Sequence, residues 1–168
     1  MSAGDLMRPG HVAGTGFDAA MPLLDQVGEM IGFVGFFDNF LAIAVLLIAW
    51  LLVVLSFFVL AIQLFITVIE FKLTALAGFV LVPFALWNRP SFLAERVLGN
   101  VVSSGIKLMV LAVIVGIGSG FFAEFTGAIG AGETDLAQAM SLVLGSLTLL
   151  GLGVFGPGIA SGLSLIHI

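Results

Sequence analysis

Few residues in this sequence combine the type and the spacing that chemistry requires. Glu70 and Glu124 lie inside or beside long apolar runs, but neither has a histidine or a second carboxylate near it in sequence. The two histidines, His11 and His167, are far apart and there is no cysteine, so the chain offers no credible set of metal ligands. We find no nucleophile–base pair and no redox motif. The sequence therefore predicts a protein that is not an enzyme and that carries no cofactor and no metal.

A stripe of polar side chains is the stronger candidate for a functional surface. Its members lie 7, 4, 3 and 4 residues apart, so a continuous helix would place them on one face. They are Ser56, Gln63, Thr67, Glu70 and Thr74. Because lipid penalises polar groups, such a stripe faces protein or water. Contact with neighbouring helices is the commoner use of a stripe of this kind, and the lining of a pathway is the alternative.

Glycines form a second pattern in the apolar segments. Gly151, Gly153 and Gly156 match the spacing G-x-G-x-x-G, but a phosphate-binding loop also needs a preceding strand and a later acidic residue. Both flanks here are apolar and no acid follows, so we reject that interpretation. Small residues in membrane helices let neighbouring helices approach closely. The candidate packing glycines are Gly116, Gly120, Gly151 and Gly153.

The elements that would position these residues are membrane helices. The chain is 61% hydrophobic and only 9% charged, against about 25% charged in soluble domains. The uncharged run Leu41–Ile69 would reach roughly 43 Å as a helix, more than a bilayer core requires. A charged step, Glu70–Lys72, separates it from Leu73–Trp87, which predicts a helical hairpin, and two further spans are expected at Leu108–Phe122 and Ala139–Ala160. The fold class expected is all-α, a polytopic membrane protein with about four transmembrane helices plus amphipathic interfacial helices.

Residues 1–40 form a polar N-terminal segment with an amphipathic helix. Pro22 suits the first turn of this helix, and Asp25 and Glu29 follow where acids complement the helix dipole. The apolar residues fall on the face opposite the acids: Phe17, Met21, Leu24, Gly28, Ile31 and Gly35. This helix is expected either to lie on the membrane or a partner, or to pack on the protein's own bundle.

The segment Asn88–Lys107 holds most of the basic residues. Arg89, Arg96 and Lys107 form a candidate basic face that the positive-inside rule places in the cytoplasm. It is expected on an amphipathic helix that lies along the inner surface or docks on a cytoplasmic partner, and a solvated connecting helix is the alternative, favoured over a specific docking site. The acidic segment Ala123–Gln138 is then expected outside. Alternation along the chain would put Glu70–Lys72 outside and Leu41 near the cytoplasm. With five Lys and Arg in the whole chain, no stable nucleic-acid binding is expected.

The domain organisation expected is a transmembrane helical core at residues 41–162 between the N-terminal segment and a short tail. The Gly156-Pro157-Gly158 sequence is expected to end or kink the last helix. Residues 163–168 look foreign to the chain and resemble a translated sequencing adapter, so we interpret them as a non-native tail.

Two runs resemble the TrbL family: Ile69–Asn88, which reads IEFKLTALAGFVLVPFALWN, and Leu98–Lys107, which reads LGNVVSSGIK. TrbL proteins are inner-membrane subunits of conjugative type IV secretion systems. The resemblance covers most of residues 17–162 and implies a multi-pass protein of the bacterial inner membrane. It also implies a role in mating-pair formation and in passage of the substrate across that membrane.

The partners that the resemblance implies are the lipid bilayer, other secretion subunits and further copies of the chain, with transient contact to the transferred DNA–protein substrate. Family members have further helices before the matching region and a long polar C-terminal region after it. The chain is therefore interpreted as the central membrane core of such a subunit, truncated at both ends. The alternative is a small independent transporter or channel subunit, with the polar stripe from Ser56 to Thr74 along its path.

Overall fold

A computed structural model describes residues 4–31, 37, 40–85, 91–129 and 136–165 of the chain. Within these residues the fold consists of four helices: α1 (Pro9–Met30), α2 (Phe40–Ala85), α3 (Ser91–Ile129) and α4 (Leu136–Leu165). The predicted all-helical fold is confirmed. In lipid a helix satisfies its own backbone hydrogen bonds, so long apolar segments fold in this way.

Helix α2 is continuous through the charged step, and the predicted hairpin at Glu70–Lys72 is wrong. The helix runs without interruption over 46 residues, or about 69 Å at the usual rise. The step does not break the helix because Glu70 and Lys72 are good helix formers. Glu70 also has a partner outside α2, at Lys107 of α3. Pro83 lies two residues before the end of α2, where the loss of one backbone donor has little consequence.

Helix α3 joins two segments that the sequence predicted as separate. The part predicted as an amphipathic surface helix, from Ser91 to Lys107, continues directly into the predicted span at Leu108 and on to Ile129. Helix α4 likewise continues through Pro157 to Leu165 and is not ended there. The chain from residue 163 to 165 is therefore helical, and residues 166–168 lie outside the described part.

Helix α1 begins at Pro9, earlier than predicted, because proline is favoured in a first turn whose N–H groups have no helical partner. Pro22 lies inside the helix instead of at its start. Gly16 contacts Phe57 of α2, whereas Leu6, just before α1, lies by Gly116 of α3. Helix α3 runs antiparallel to α2, because Phe122 packs on Phe57 and Lys107 lies beside Glu70. Gly116 lies between Lys107 and Phe122 in α3, so Leu6 is at a level of α2 between Glu70 and Phe57. From Leu6 to Gly16 the chain moves toward Phe57, and α1 therefore runs antiparallel to α2.

The side of α1 that packs on the bundle differs from the predicted apolar face. The buried residues of α1 are Val12, Gly16, Ala20, Leu23 and Val27. Phe17 and Met21, which the apolar pattern favoured, remain 50% and 38% exposed. Small residues occupy the contact because the two helix backbones approach closely. Of the two placements that the sequence left open, the structure shows α1 on the protein's own bundle.

Three of the described helices contain a stretch long and apolar enough to cross a membrane, within Phe40–Leu81, Ala94–Phe125 and Ala137–Gly162. They pack side by side around a core that includes Phe57 and Leu60 of α2, Leu111 and Phe122 of α3 and Leu149 of α4. The structure thus provides three candidate spans where the sequence predicted about four, because the two runs on either side of Glu70 form one helix.

Candidate functional site

The first residue of the polar stripe lies between two of the spanning helices. Ser56 is fully buried, and its hydroxyl donates toward the carbonyl oxygens of Leu52 in its own helix, at 2.6 Å, and of Ser146 in α4, at 2.8 Å. The Ser146 hydroxyl in turn donates to the carbonyl oxygen of Leu142, at 2.7 Å. These buried groups are satisfied by protein, as polar groups inside a membrane protein must be.

The middle of the stripe is less connected. Thr67 is 4% exposed, and its hydroxyl donates to the backbone carbonyl of Gln63 at 2.8 Å. Gln63 itself is half-buried. A threonine bonded in this way satisfies its hydroxyl group within its own helix.

The last two residues of the stripe connect α2 to α3. The Lys107 ammonium group lies 3.0 Å from a carboxylate oxygen of Glu70 and forms a partly exposed ion pair with it. One helical turn further on, the hydroxyl groups of Thr74 and Ser104 are 3.1 Å apart. Ser104 is buried. The stripe therefore changes its partner along α2, from α4 at Ser56 to α3 at Glu70 and Thr74.

The ion pair also corrects the predicted topology. Glu70 and Lys107 were expected on opposite sides of the membrane, but a 3.0 Å contact requires that they lie on the same side. The remaining members of the candidate basic face are not brought together with Lys107 by any contact that the structure describes. Arg96 is exposed on α3, and Arg89 lies outside the described residues.

The candidate packing glycines divide into two groups. A Cβ atom built on Gly153 would come within 2.6 Å of Leu60 of α2, so the absence of a side chain there admits the leucine. Gly116 makes only an ordinary contact, at 3.8 Å from Leu6. At Gly120 and Gly151 the space around such a Cβ atom is open to 4 Å, so these two positions do not serve the packing of the described helices.

Of the five tightest glycine contacts, the predicted packing glycines include only Gly153, and the other four were not singled out for packing. A Cβ atom built on each of these four glycines would come too close to a side chain of another helix. The pairs are Gly16 with Phe57, Gly118 with Leu149 at 2.6 Å, Gly145 with Phe121 at 2.6 Å and Gly156 with Ile114 at 2.7 Å. Three of them join helices of the spanning bundle and one joins α1 to it. Their sequence signal is only a small residue in an apolar segment, which does not say which side of the helix has a neighbour.

The outward side of α1 carries a row of charged residues. Asp18, Asp25 and Glu29 are all exposed, on the side of α1 turned away from the buried residues, and His11 precedes them on the same side. Asp18 lies two residues after Gly16, which contacts Phe57 in the middle of the long apolar run of α2. At least part of this acidic row is therefore at the depth of the apolar spans.

The outward side of α2 is apolar over an unusual length. Exposed apolar residues continue along this side from Leu47 to Val80 and include Leu55, Ile62 and Leu73, with one exposed charged residue, Lys72, among them. The stripe is about 50 Å long at the usual helical rise, whereas the hydrocarbon core of a bilayer is about 30 Å thick. A tilt of 40°, the upper end of the usual range, lengthens the path through that core to only about 39 Å.

The described residues contain no group of three or more histidine, aspartate or glutamate side chains that could hold a metal ion. Buried hydroxyl groups and glycines join the helices into a framework. None of the described helices covers the two outward surfaces, one acidic on α1 and one apolar on α2. These are the features of a membrane subunit that associates with other proteins.

Comparison with known proteins agrees with this description. Searches of curated proteins and of solved structures found no match. The family described as TrbL/VirB6 plasmid conjugal transfer protein matches residues 1–156, which is nearly the whole chain. The chain therefore belongs to the TrbL/VirB6 family and is a multi-pass membrane protein of a conjugal transfer system, whose partners include other subunits of that system.

Proposed function

We propose that this protein is a structural and channel subunit of a conjugative type IV secretion system in the bacterial inner membrane. It acts in mating-pair formation and in passage of the DNA–protein substrate across that membrane. It assembles there with other secretion subunits and with copies of itself, and its contact with the substrate is transient. Family membership supports the system, and the two uncovered surfaces support the assembly.

The acidic row on α1 is the observation that carries the assembly. A carboxylate near the centre of a bilayer costs about 2.5–3.5 kcal/mol on insertion scales, so a helix does not expose several of them to lipid. Asp18, Asp25 and Glu29 are exposed on the single chain. Another protein surface or a water-filled space that the assembly encloses removes this cost.

The apolar stripe on α2 supports the same conclusion independently. Lipid covers at most about 39 Å of its length at the usual tilts, so about 10 Å of exposed apolar surface needs a protein neighbour. The uncovered end lies beyond the Glu70–Lys107 ion pair, where Leu76 and Phe79 are 64% and 82% exposed. We assign the end of the bundle where α2 leads into α3 to a contact with another subunit.

The orientation proposed follows the basic residues. Lys72, Arg96 and Lys107 lie at the end where α2 leads into α3, which the positive-inside rule places in the cytoplasm. Glu29 and Glu124 lie toward the opposite end. The start of α2 at Phe40 is then on the outer side of the inner membrane, the reverse of the orientation expected for Leu41 from sequence.

A mating assay tests the function. A clean deletion of the complete gene in the donor should abolish plasmid transfer without affecting growth, and the complete gene supplied in trans should restore transfer. Normal transfer from the deletion strain would refute the proposed role.

Photo-crosslinking in the donor membrane tests the assembly. A benzoylphenylalanine residue replacing Asp25 should crosslink to protein, whereas the same residue at Leu51, on the exposed apolar side of α2 and within the bilayer, should label lipid. Label on lipid at both positions would contradict an interface at the acidic row.

The transporter alternative makes a different prediction at Gln63. If the polar stripe lined a solute path, then the purified chain in proteoliposomes should support flux and Gln63→Leu should reduce it. The contacts of Ser56, Glu70 and Thr74 with other helices favour a joining role instead. We therefore expect no flux above that of empty vesicles, and flux that is lost in Gln63→Leu would favour the transporter.

A further inference from the structure

An apolar groove of about 410 Å³ lies between α3 and α4. Its floor is formed by Gly118 and Phe122 of α3 and by Leu149 of α4, all of which are buried. Its walls include Ile117, which is 66% exposed, and Leu144, which is 68% exposed. The groove is therefore recessed into the bundle but opens outward between two helices that each contain a candidate span.

The polar groups in the groove are already satisfied. Ser141 and Thr148 are the lining residues that carry side-chain hydroxyl groups, and these donate to the backbone carbonyls of Ala137 and Leu144, at 3.0 and 2.8 Å. No charged side chain is among the described residues that line the groove. An occupant is therefore recognised by hydrocarbon contact and by shape, with no hydrogen bond or ion pair from the protein.

The dimensions of the groove match a single hydrocarbon chain. Its lining on α4 runs from Ser141 to Leu152, about 16 Å along the helix axis. One leaflet contributes half of the hydrocarbon core, or about 15 Å. The groove also lies in one leaflet only, because it starts close to the first residues of α4 and ends near the middle of the candidate span Ala137–Gly162.

A helix from another protein fits the groove poorly. A helix with its side chains is about 10–12 Å across, whereas an extended hydrocarbon chain has no side groups to accommodate along the roughly 16 Å of the groove. The close approaches of Phe121 to Gly145 and of Leu149 to Gly118 already use the small residues that would let a partner helix come nearer.

We propose that one acyl chain of a membrane phospholipid occupies this groove, in the leaflet next to the start of α4. The phospholipid is held by its chain, and exchange of the headgroup leaves binding unchanged. This site is separate from the acidic row on α1 and from the apolar stripe on α2. A test of lipid binding in the groove is therefore independent of the proposed role in conjugation.

The first test uses the unmodified full chain in phosphatidylcholine vesicles that contain a small fraction of phosphatidylcholine with a diazirine in mid-chain. Leu152 in the groove and Leu147 outside it are on the same helix and are equally exposed, at 47% each. Photolysis and mass spectrometry should show several-fold more label at Leu152 than at Leu147. Equal labelling would mean ordinary contact with bulk lipid and would overturn the proposal.

Variants then test whether the groove itself is responsible. Thr148→Phe and Ser141→Phe place a ring in the groove from two different positions, and each should lower the labelling of Leu152 several-fold. Leu147→Phe adds the same ring to the same helix outside the groove and should leave that labelling unchanged. Two groove variants are used so that the test remains possible if one of them fails to fold. Undiminished labelling of Leu152 in both variants would contradict the proposal.

The remaining occupant to distinguish is a protein. Benzoylphenylalanine at Leu144 should yield a lipid adduct, in the reconstituted chain and in the donor membrane alike. A crosslink to a second copy or to another subunit would overturn the lipid assignment and make the groove a protein contact. Replacing phosphatidylcholine by phosphatidylglycerol should not change the labelling, whereas a strong change would show that the headgroup is recognised.

Discussion

At the scale of single residues, the position of α1 depends on the missing side chain at Gly16. A Cβ atom at this position would collide with the Cβ atom and ring of Phe57. Neither Cβ atom can rotate away, because each is fixed to its own backbone. Gly14 lies in the same helix, and nothing lies within 4 Å of the Cβ atom that it would carry.

These two glycines provide a matched pair of substitutions. Gly14→Ala and Gly16→Ala bring the same gain of about 1 kcal/mol in helix propensity, but only Gly16→Ala overpacks the contact, at a cost of about 1–3 kcal/mol. We expect Gly16→Ala to be less stable than Gly14→Ala by that amount, measured by denaturant titration in detergent micelles. Equal stability of the two variants would mean that α1 does not pack on Phe57 as described.

The ion pair between Glu70 and Lys107 is measurable by a double-mutant cycle. Because the pair is partly exposed, Glu70→Gln and Lys107→Gln should show a coupling of about 0.2–1 kcal/mol in the free energy of unfolding. Lys72→Gln is the control, since residues two apart on a helix do not face each other, and its coupling to Glu70 should be near zero. Coupling to Lys72 instead of to Lys107 would contradict the register of α2 and α3.

Residue types predicted part of this picture. The spacing from Ser56 to Thr74 placed polar groups on one side of a helix, and the structure finds partners for Ser56, Glu70 and Thr74 on that side. The partners themselves were not predictable, because Ser146 lies 90 residues from Ser56 and Lys107 lies 37 residues from Glu70. Gly116 and Gly120 have the spacing of a packing motif, but spacing does not reveal which side of α3 meets a neighbour.

At the scale of elements, the continuity of α2 distinguishes the structure from a hairpin. Leu55 and Phe79 are both exposed, and the chain contains no cysteine, so a pair of introduced cysteines can carry spin labels cleanly. A continuous helix puts their backbones about 36 Å apart, whereas a hairpin turning at Glu70–Lys72 would bring them within about 20 Å. Double electron–electron resonance should give the longer distance, and a dominant short distance would restore the hairpin.

The hairpin was predicted because charges inside an apolar run normally mark the end of a span. That rule finds where a helix leaves the hydrocarbon, but it does not say whether the helix stops there. Glu70 and Lys72 are ordinary helix formers, and neither proline nor glycine lies between Leu41 and Leu73. The predicted packing face of α1 is wrong for a related reason. The apolar pattern favours a face with Phe17, whereas the close contact with Phe57 of α2 needs the missing side chain of Gly16.

At the scale of the whole molecule, charge divides the bundle into two ends. Lys72, Arg96 and Lys107 lie where α2 leads into α3, and Glu29 and Glu124 lie toward the other end. The sign of each segment is a count of its charged residues, and the assignment of the basic segment to the cytoplasm stands as a proposal. The predicted hairpin at Glu70–Lys72 counted two membrane crossings where the structure has the single helix α2. With one crossing fewer, the start of α2 lies on the opposite side of the membrane from the one predicted.

Cysteine accessibility tests this orientation. Arg96→Cys and Gly127→Cys are both exposed positions on α3, near its two ends. In cells with a permeabilised outer membrane, a membrane-impermeant maleimide should label Gly127→Cys, whereas Arg96→Cys should react only after the inner membrane is opened. The opposite pattern would invert the proposed orientation without changing the fold.

The antiparallel packing of α1 on α2 also has a consequence for synthesis on the ribosome. Helix α1 is made before α2, but Asp18, Asp25 and Glu29 make it too polar to enter the bilayer alone, and its buried side has no partner until Phe57 has been made. Of the described helices, α2 is the first that contains a candidate span for release into lipid. Helix α1 therefore takes its place only after α2 has been made, and it folds back along a helix that follows it in the chain.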